Sequence, residues 1–71
     1  MNSEISFPLK REFIELFKLL KVTGLCESGA AAKHAIGAGR VMVNRMVETR
    51  KAFKVRSGHH VEFEGQSIRI P

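Results

Sequence analysis

The stretch from Ser28 to Asn44, SGAAAKHAIGAGRVMVN, changes its apolar period part-way along and so joins two kinds of structure. Ser28 is suited to accept a hydrogen bond from a free backbone N–H at a helix start, and Gly39 to end that helix, which predicts a helix over Gly29 to Ala38. Ala32, Ala35 and Ile36 form its inward face, while Gly29, Lys33 and Gly37 recur every four residues on the other side. Each of these glycines costs about 1 kcal/mol relative to alanine in a helix. Two readings stand for them: close packing of the protein's own backbone, or close approach of a ligand backbone beside Lys33. Past Gly39 the period becomes two, with Val41 and Val43 inward around Met42, so a short strand follows and Asn44-Arg45 reads as a turn.

On the N-terminal side, Met1 to Phe7 is polar and reads as a loose lead-in, and Pro8 fits the first turn of a helix. Leu9, Phe13, Leu16, Phe17 and Leu20 fall on one stripe at the helical period, which predicts an amphipathic helix over Leu9 to Leu20, closed near Gly24. On the C-terminal side Val47 opens a second short strand, and Thr49 to Phe53 is ambiguous, with a loop as one reading. Val55 leads to a turn at Ser57-Gly58. Val61 and Phe63 then alternate with His60, Glu62 and Glu64, and Gly65-Gln66 reads as a two-residue hairpin turn before Ile68 and Ile70. The expected fold class is α+β: two N-terminal helices followed by a small antiparallel sheet, in a single domain over residues 1–71.

Charge is distributed unevenly along this frame. Between Ser28 and Arg56 lie seven basic residues and one acidic residue, Glu48, for a local net of +6; the remaining five basic and six acidic residues net −1, and together they make the +5 of the whole chain. A localised basic face on a small domain is the electrostatic footprint of a nucleic-acid binder, because each phosphate neutralised by Lys or Arg releases condensed counterions. With 71 residues, a large substrate cavity is not expected, since a chain of this size buries only about 60% of its unfolded surface. Five Phe with no Trp or Tyr leave base stacking a minor part in any RNA contact, so phosphate and groove contacts must dominate. The lone Cys26 forms no internal disulfide and completes no zinc set of common spacing. No apolar run approaches a membrane span, and the opening MNSEISFPLKREF has no signal-peptide core, so the expected location is cytoplasmic.

The same run resembles the small-subunit ribosomal protein four type RNA-binding domain, written here S-four. That family's pattern of Ser, Ala-Arg or Ala-Lys, Ile, Gly and Val-x-Val-Asn is met by Ser28, Ala32, Lys33, Ile36, Gly39, Val41, Val43 and Asn44. LLKVTGLCESG before it, and VETRK and KVRSGHHVEFEG after it, extend the similarity over most of the chain toward the free-standing YbcJ-like members. The chain departs from the commoner pattern at Gly29, where Arg usually follows the Ser, and at Arg45, where Gly usually follows the Asn. A basic contact is thereby moved from the helix start to the turn.

The resemblance implies the alpha-L RNA-binding motif and contact with structured RNA (ribosomal, transfer or other) through the second helix and the following turn. The expected RNA-binding residues are Ser28, Gly29, Lys33, Arg40, Asn44, Arg45, Arg50, Lys51 and Lys54. In this expectation the start of the second helix and the Ser28 hydroxyl take one phosphate, Lys33 takes its neighbour, and the remaining cations line a path across the sheet edge. Shape would be read more than sequence, because duplex RNA hides its base edges. The residues alone do not separate RNA from DNA; only the resemblance favours RNA.

Arg56 and Arg69 are left outside the expected site, on strands whose outward face points elsewhere. His59-His60 read as a turn-side pair and not a metal site, since adjacent residues on a strand point to opposite sides. Cys26 reads as a structural thiol. His34 either touches RNA or faces water. No nucleophile with a base, metal set or nucleotide loop marks an enzyme, and no cofactor, membrane or small-molecule partner is expected of what reads as a monomer. The alternative function is a protein-interaction or anionic-surface module using the same basic face.

Overall fold

The computed structural model describes residues 3–71. Met1 and Asn2 of the expected lead-in lie outside them. Along the chain come β1 (Ser3–Ser6), β2 (Ile14–Glu15), α1 (Leu16–Val22), α2 (Gly29–Gly37), β3 (Val41–Val43), β4 (Met46–Val47), β5 (Lys54–Val55), β6 (His60–Phe63) and β7 (Gln66–Arg69). The larger sheet has the strand order β1-β7-β6-β3-β4, and β2 pairs with β5 in a small antiparallel sheet of its own.

The α+β class holds, but the expected order of two helices followed by an antiparallel sheet does not. A strand comes first, and β1 runs parallel to β7 with Ile5 opposite Ile68, so the main sheet is mixed. Ser3 to Phe7 is therefore tied down: the Phe7 N–H donates to the Arg69 carbonyl at 2.9 Å, and Ile5 and Phe7 pack against the core. This segment gains more from completing a sheet edge than from remaining solvated, because both its backbone groups and its two apolar side chains find partners there.

The first helix is shorter than its apolar stripe. Glu15 is extended at φ −68° and ψ 139°, and helix begins only at Leu16. Ile14 and Glu15 pair with Val55 and Lys54, and the N–H groups of Leu16 and Phe17 donate to the carbonyls of Phe53 and Lys51 at 2.9 and 3.1 Å. The backbone ahead of Leu16 thus bonds to the 51–55 segment and not to another helical turn. Leu16, Leu19 and Leu20 remain as the buried stripe. As expected, Gly24 closes the helix in the left-handed region at φ +83°.

The Ser28–Asn44 run follows its sequence closely. The Ala31 N–H donates to Ser28 Oγ at 3.0 Å, capping α2. Ala32, Ala35 and Ile36 are buried, and Gly39 ends the turn at φ +77°. Asn44 and Arg45 both have positive φ, 50° and 68°, which is the two-residue turn whose twist suits a β-hairpin. The last hairpin differs by one residue from the reading above: its central pair is Glu64-Gly65, at φ 49° and 80°, with Phe63 opposite Gln66. Both helices and the inward rows of the sheet enclose one core that includes Leu20, Ile36, Val41, Val61 and Ile68.

Candidate nucleic-acid interface

The stripe of Gly29, Lys33 and Gly37 runs along one flank of α2 and meets two elements that its sequence does not announce. A methyl group at Gly29 would come within 3.9 Å of the Phe17 ring, and one at Gly37 would lie 3.4 Å from Cε and 4.0 Å from Nζ of Lys51. Lys33 Nζ stands 4.6 Å from the centre of the Phe17 ring. The hydrogen bond from the Phe17 N–H to the Lys51 carbonyl joins these two neighbours. Lys33 and Lys51 are therefore brought to one face, with no ion pair to either among the described residues. The Lys51 stem lies over Gly37, one helical turn from Lys33. The cation on an aromatic face holds Lys33 in place without neutralising it.

Neither glycine is demanded by the protein's own packing: the nearest atoms are a ring edge at ordinary contact distance and a flexible lysine stem. Gly37→Ala should accordingly raise stability by about 0.5–1 kcal/mol through helix propensity. Thermal melts of the variant check this; a lowered melting temperature would mean that the α2 flank is packed more tightly than its contacts show.

β4 passes the end of α2, the Cβ position at Gly39 being 3.7 Å from Val47 Cγ1, and the Asn44-Arg45 turn joins β4 to β3. Arg45 projects from it, exposed and without an ion pair among the described residues. Asn44 is committed to structure. The His60 N–H donates to Asn44 Oδ1 at 2.8 Å, and the Asn44 N–H donates to the His60 carbonyl at 2.7 Å. Asn44→Ala should cost about 2 kcal/mol, combining the lost hydrogen bond with the strain of a left-handed alanine. Asn44→Gly should cost less, because glycine accepts the same φ. Urea melts of the two variants distinguish these contributions.

Ser28 likewise spends its hydroxyl oxygen on the helix cap, while the first N–H groups of α2, at Gly29 and Ala30, retain the unpaired direction of any helix start.

The other expected cations are divided between two further places. Arg40 sits on the opposite flank of α2, in a shallow depression with Ala31 and His34, where it pairs with Glu64 and lies 5.6 Å from the Phe63 ring. Arg50 is gripped by Glu48: its Nε and Nη2 donate to the carboxylate at 2.9 and 3.1 Å, and its backbone N–H donates at 2.9 Å. These bonds hold the Glu48 carboxyl below the usual carboxylate range. Because the folded value is the lower one, this contribution to stability is complete above the ordinary carboxylate range and fades as pH falls through the lowered value. Glu48→Gln should release Arg50 and raise affinity for a polyanion about two- to fivefold, as expected for one freed cation. Titration calorimetry against a structured RNA measures it.

Lys54 sits beside Arg56, with Nζ of Lys54 and Cζ of Arg56 5.0 and 5.5 Å from the Phe13 ring. Arg56, which the sequence leaves outside the expected site, shares a basic depression with Arg50, Lys54 and His59. Arg56 lies just past the end of β5, and the Phe13 ring that both cations approach is what joins it to Lys54. Phe13 and Phe17, which their spacing assigns to a helical core stripe, each support cations. His59 does serve a turn, its Nδ1 accepting the Arg56 N–H at 2.8 Å. Cys26 is buried, and burial pushes its thiol up, away from nucleophile chemistry. No helix is long and apolar enough to cross a membrane among the described residues.

Comparison with known proteins settles the ancestry of this arrangement. A sequence profile described as the S4 domain matches residues 7–71. The chain belongs to the S4 domain family. It is 48% identical over 61 residues to "Putative RNA-binding protein YbcJ" of Escherichia coli strain K12, covering 86% of this chain and 87% of that protein. The same identity and coverage relate it to "Uncharacterized protein YbcJ" of Shigella flexneri. Among solved structures it resembles the solution structure of YbcJ from E. coli, described as revealing an alpha-L motif involved in RNA binding, with a TM-score of 0.67, 45% sequence identity, and coverage of 94% of this chain and 84% of that one.

Proposed function

We propose that this chain is a non-catalytic RNA-binding protein that grips the backbone of structured RNA through the α2 flank and the adjoining turn. The observation that carries the reading is the convergence of Lys33 and Lys51 across Gly37, both exposed and neither engaged with a carboxylate among the described residues. Two unneutralised cations on one helix flank suit a phosphate backbone laid along it, since counterion release rewards charge and Gly37 lets the Lys51 stem lie close to α2. Arg45 extends this surface at the turn. Ser28 and Gly29 supply the start of α2, where N–H groups and the helix dipole favour an anion. Lys54 and Arg56 form a second phosphate-holding patch, joined by Arg50 once Glu48 yields it. Asn44 acts by fixing the turn that presents Arg45, and Arg40 contributes only if phosphate displaces Glu64.

Membership of the S4 family and the RNA-binding motif described for the E. coli relative support RNA as the partner. The anionic-surface alternative has one observation of its own: Met46 and Val47 are 74% and 59% exposed beside Arg45 and could enter a lipid interface. Titrating the protein with a labelled RNA stem-loop, and separately with vesicles rich in anionic lipid at the same salt concentration, decides between them. The reading expects tight, salt-sensitive RNA binding and weak vesicle binding; tighter association with vesicles would overturn it.

A further inference from the structure

A groove of about 700 Å³ opens between the chain after β1 and the start of α1, away from the α2 flank. Its walls are the apolar side chains of Phe7, Leu9, Phe13 and Ile14, and its rim carries Lys10 and Arg11. Lys18 and Glu15 also line it and pair with each other at 2.9 Å, which leaves Lys10 and Arg11 as its unpaired charges among the described residues. The groove is thus apolar at its walls and positive at its rim, and it borders the second basic patch: Phe13 lines the groove and lies 5.0 Å from Lys54 Nζ and 5.5 Å from the Arg56 guanidinium. A phosphate held by Lys54 and Arg56 therefore lies at the groove's wall.

Building on the RNA-binding reading, we propose that this groove takes an unpaired nucleotide of the bound RNA, its base against Phe13 and its phosphates between Lys10 and Arg11 on one side and Lys54 and Arg56 on the other. Charge and continuity select this occupant. Four cations around an apolar slot match an object that is a flat apolar face and an anion together, and a single-stranded nucleotide is both. The duplex part of the same RNA has no accessible base face, so it occupies the α2 flank and the two sites cooperate through one chain. An amphipathic acidic peptide is the competing occupant.

The test compares three RNAs: a blunt stem-loop, the same stem-loop with a short unpaired extension, and that extension built from abasic nucleotides, which retain the phosphates and lack the bases. The extension should tighten binding about tenfold, and the abasic version should lose most of that gain, in line with the stacking of one base on an aromatic ring. Phe13→Leu, which keeps an apolar wall, should abolish the difference between extended and abasic RNA. Arg11→Ala should reduce the gain while leaving blunt-stem binding unchanged. Equal affinity for blunt and extended RNA, or for extended and abasic RNA, would overturn the nucleotide site and leave the α2-flank reading intact. Failure to bind any of the three would overturn both.

Discussion

Replacing Lys33 and Lys51 together with alanine lowers affinity for a structured RNA by about 2 kcal/mol, or about thirtyfold, the expected loss of two charge-assisted phosphate contacts. The two lysines qualify because they are exposed and unneutralised among the described residues, and because the Lys51 stem lying over Gly37 brings both to one flank of α2. Arg40 and Arg50 are weaker candidates despite equal charge. Each is already engaged with a glutamate, so phosphate gains only the difference between two anions. The control removes the same charge elsewhere: Lys21→Ala with Arg69→Ala, on exposed positions of α1 and β7, should change affinity by a few tenths of a kcal/mol at most, the scale of screened surface charge. Fluorescence anisotropy of a labelled stem-loop against each double variant reads the contrast. Equal losses in both would show that total charge, not the α2 flank, attracts the RNA.

The largest effect on stability is expected at Ile36. It is fully buried near the end of α2, in the core shared by both helices and the main sheet. Ile36→Ala should cost about 2–5 kcal/mol from lost transfer energy and the cavity left behind. Because a domain of this size shifts by about 4–8 °C per kcal/mol, the melting temperature should fall by about 10 °C or more. The chain has no Trp or Tyr, so helical circular dichroism is the suitable probe. RNA affinity measured well below the melt should remain, since Ile36 is fully buried and offers RNA no surface; lost affinity in a still-folded variant would mean that the angle of α2 is set by this one side chain.

Where local chemistry decides structure, the reading from sequence and the structure agree. Ser28, Gly39 and the Val41–Val43 alternation each act within a few residues, and each appears in place. The N-terminal segment went astray because two patterns overlap there. Leu9 and Phe13 continue the helical stripe of Leu16 and Leu20, yet Ile5, Phe7 and Leu9 also alternate as a strand does, and only pairing with β7 and the 51–55 segment chooses between them. The choice depends on partners some fifty residues away in sequence, which no local window contains.

The site divides in the same manner. The net charge located the basic segment, but not which cations are free. Arg40 is drawn to Glu64 by strand pairing between β3 and β6, and Asn44 is drawn to His60 by the same pairing. Arg56 lies past the end of β5, so it is joined to Lys54 only in the fold, through the Phe13 ring. The meeting of Gly37 with Lys51 required the fold, since the loop carrying Lys51 is positioned by its carbonyl bonds to the start of α1.

The central claim is that a small set of lysines and arginines on the α2 flank grips RNA phosphates, and the salt dependence of binding tests it most directly. With about four to six phosphates contacted, log affinity for a stem-loop should fall against log salt with a slope of about −3 to −5. In the Lys33→Ala, Lys51→Ala double variant the slope should become shallower by about 1.5, two contacts fewer. A flat response in the original protein, or an unchanged slope in the double variant, would contradict the account.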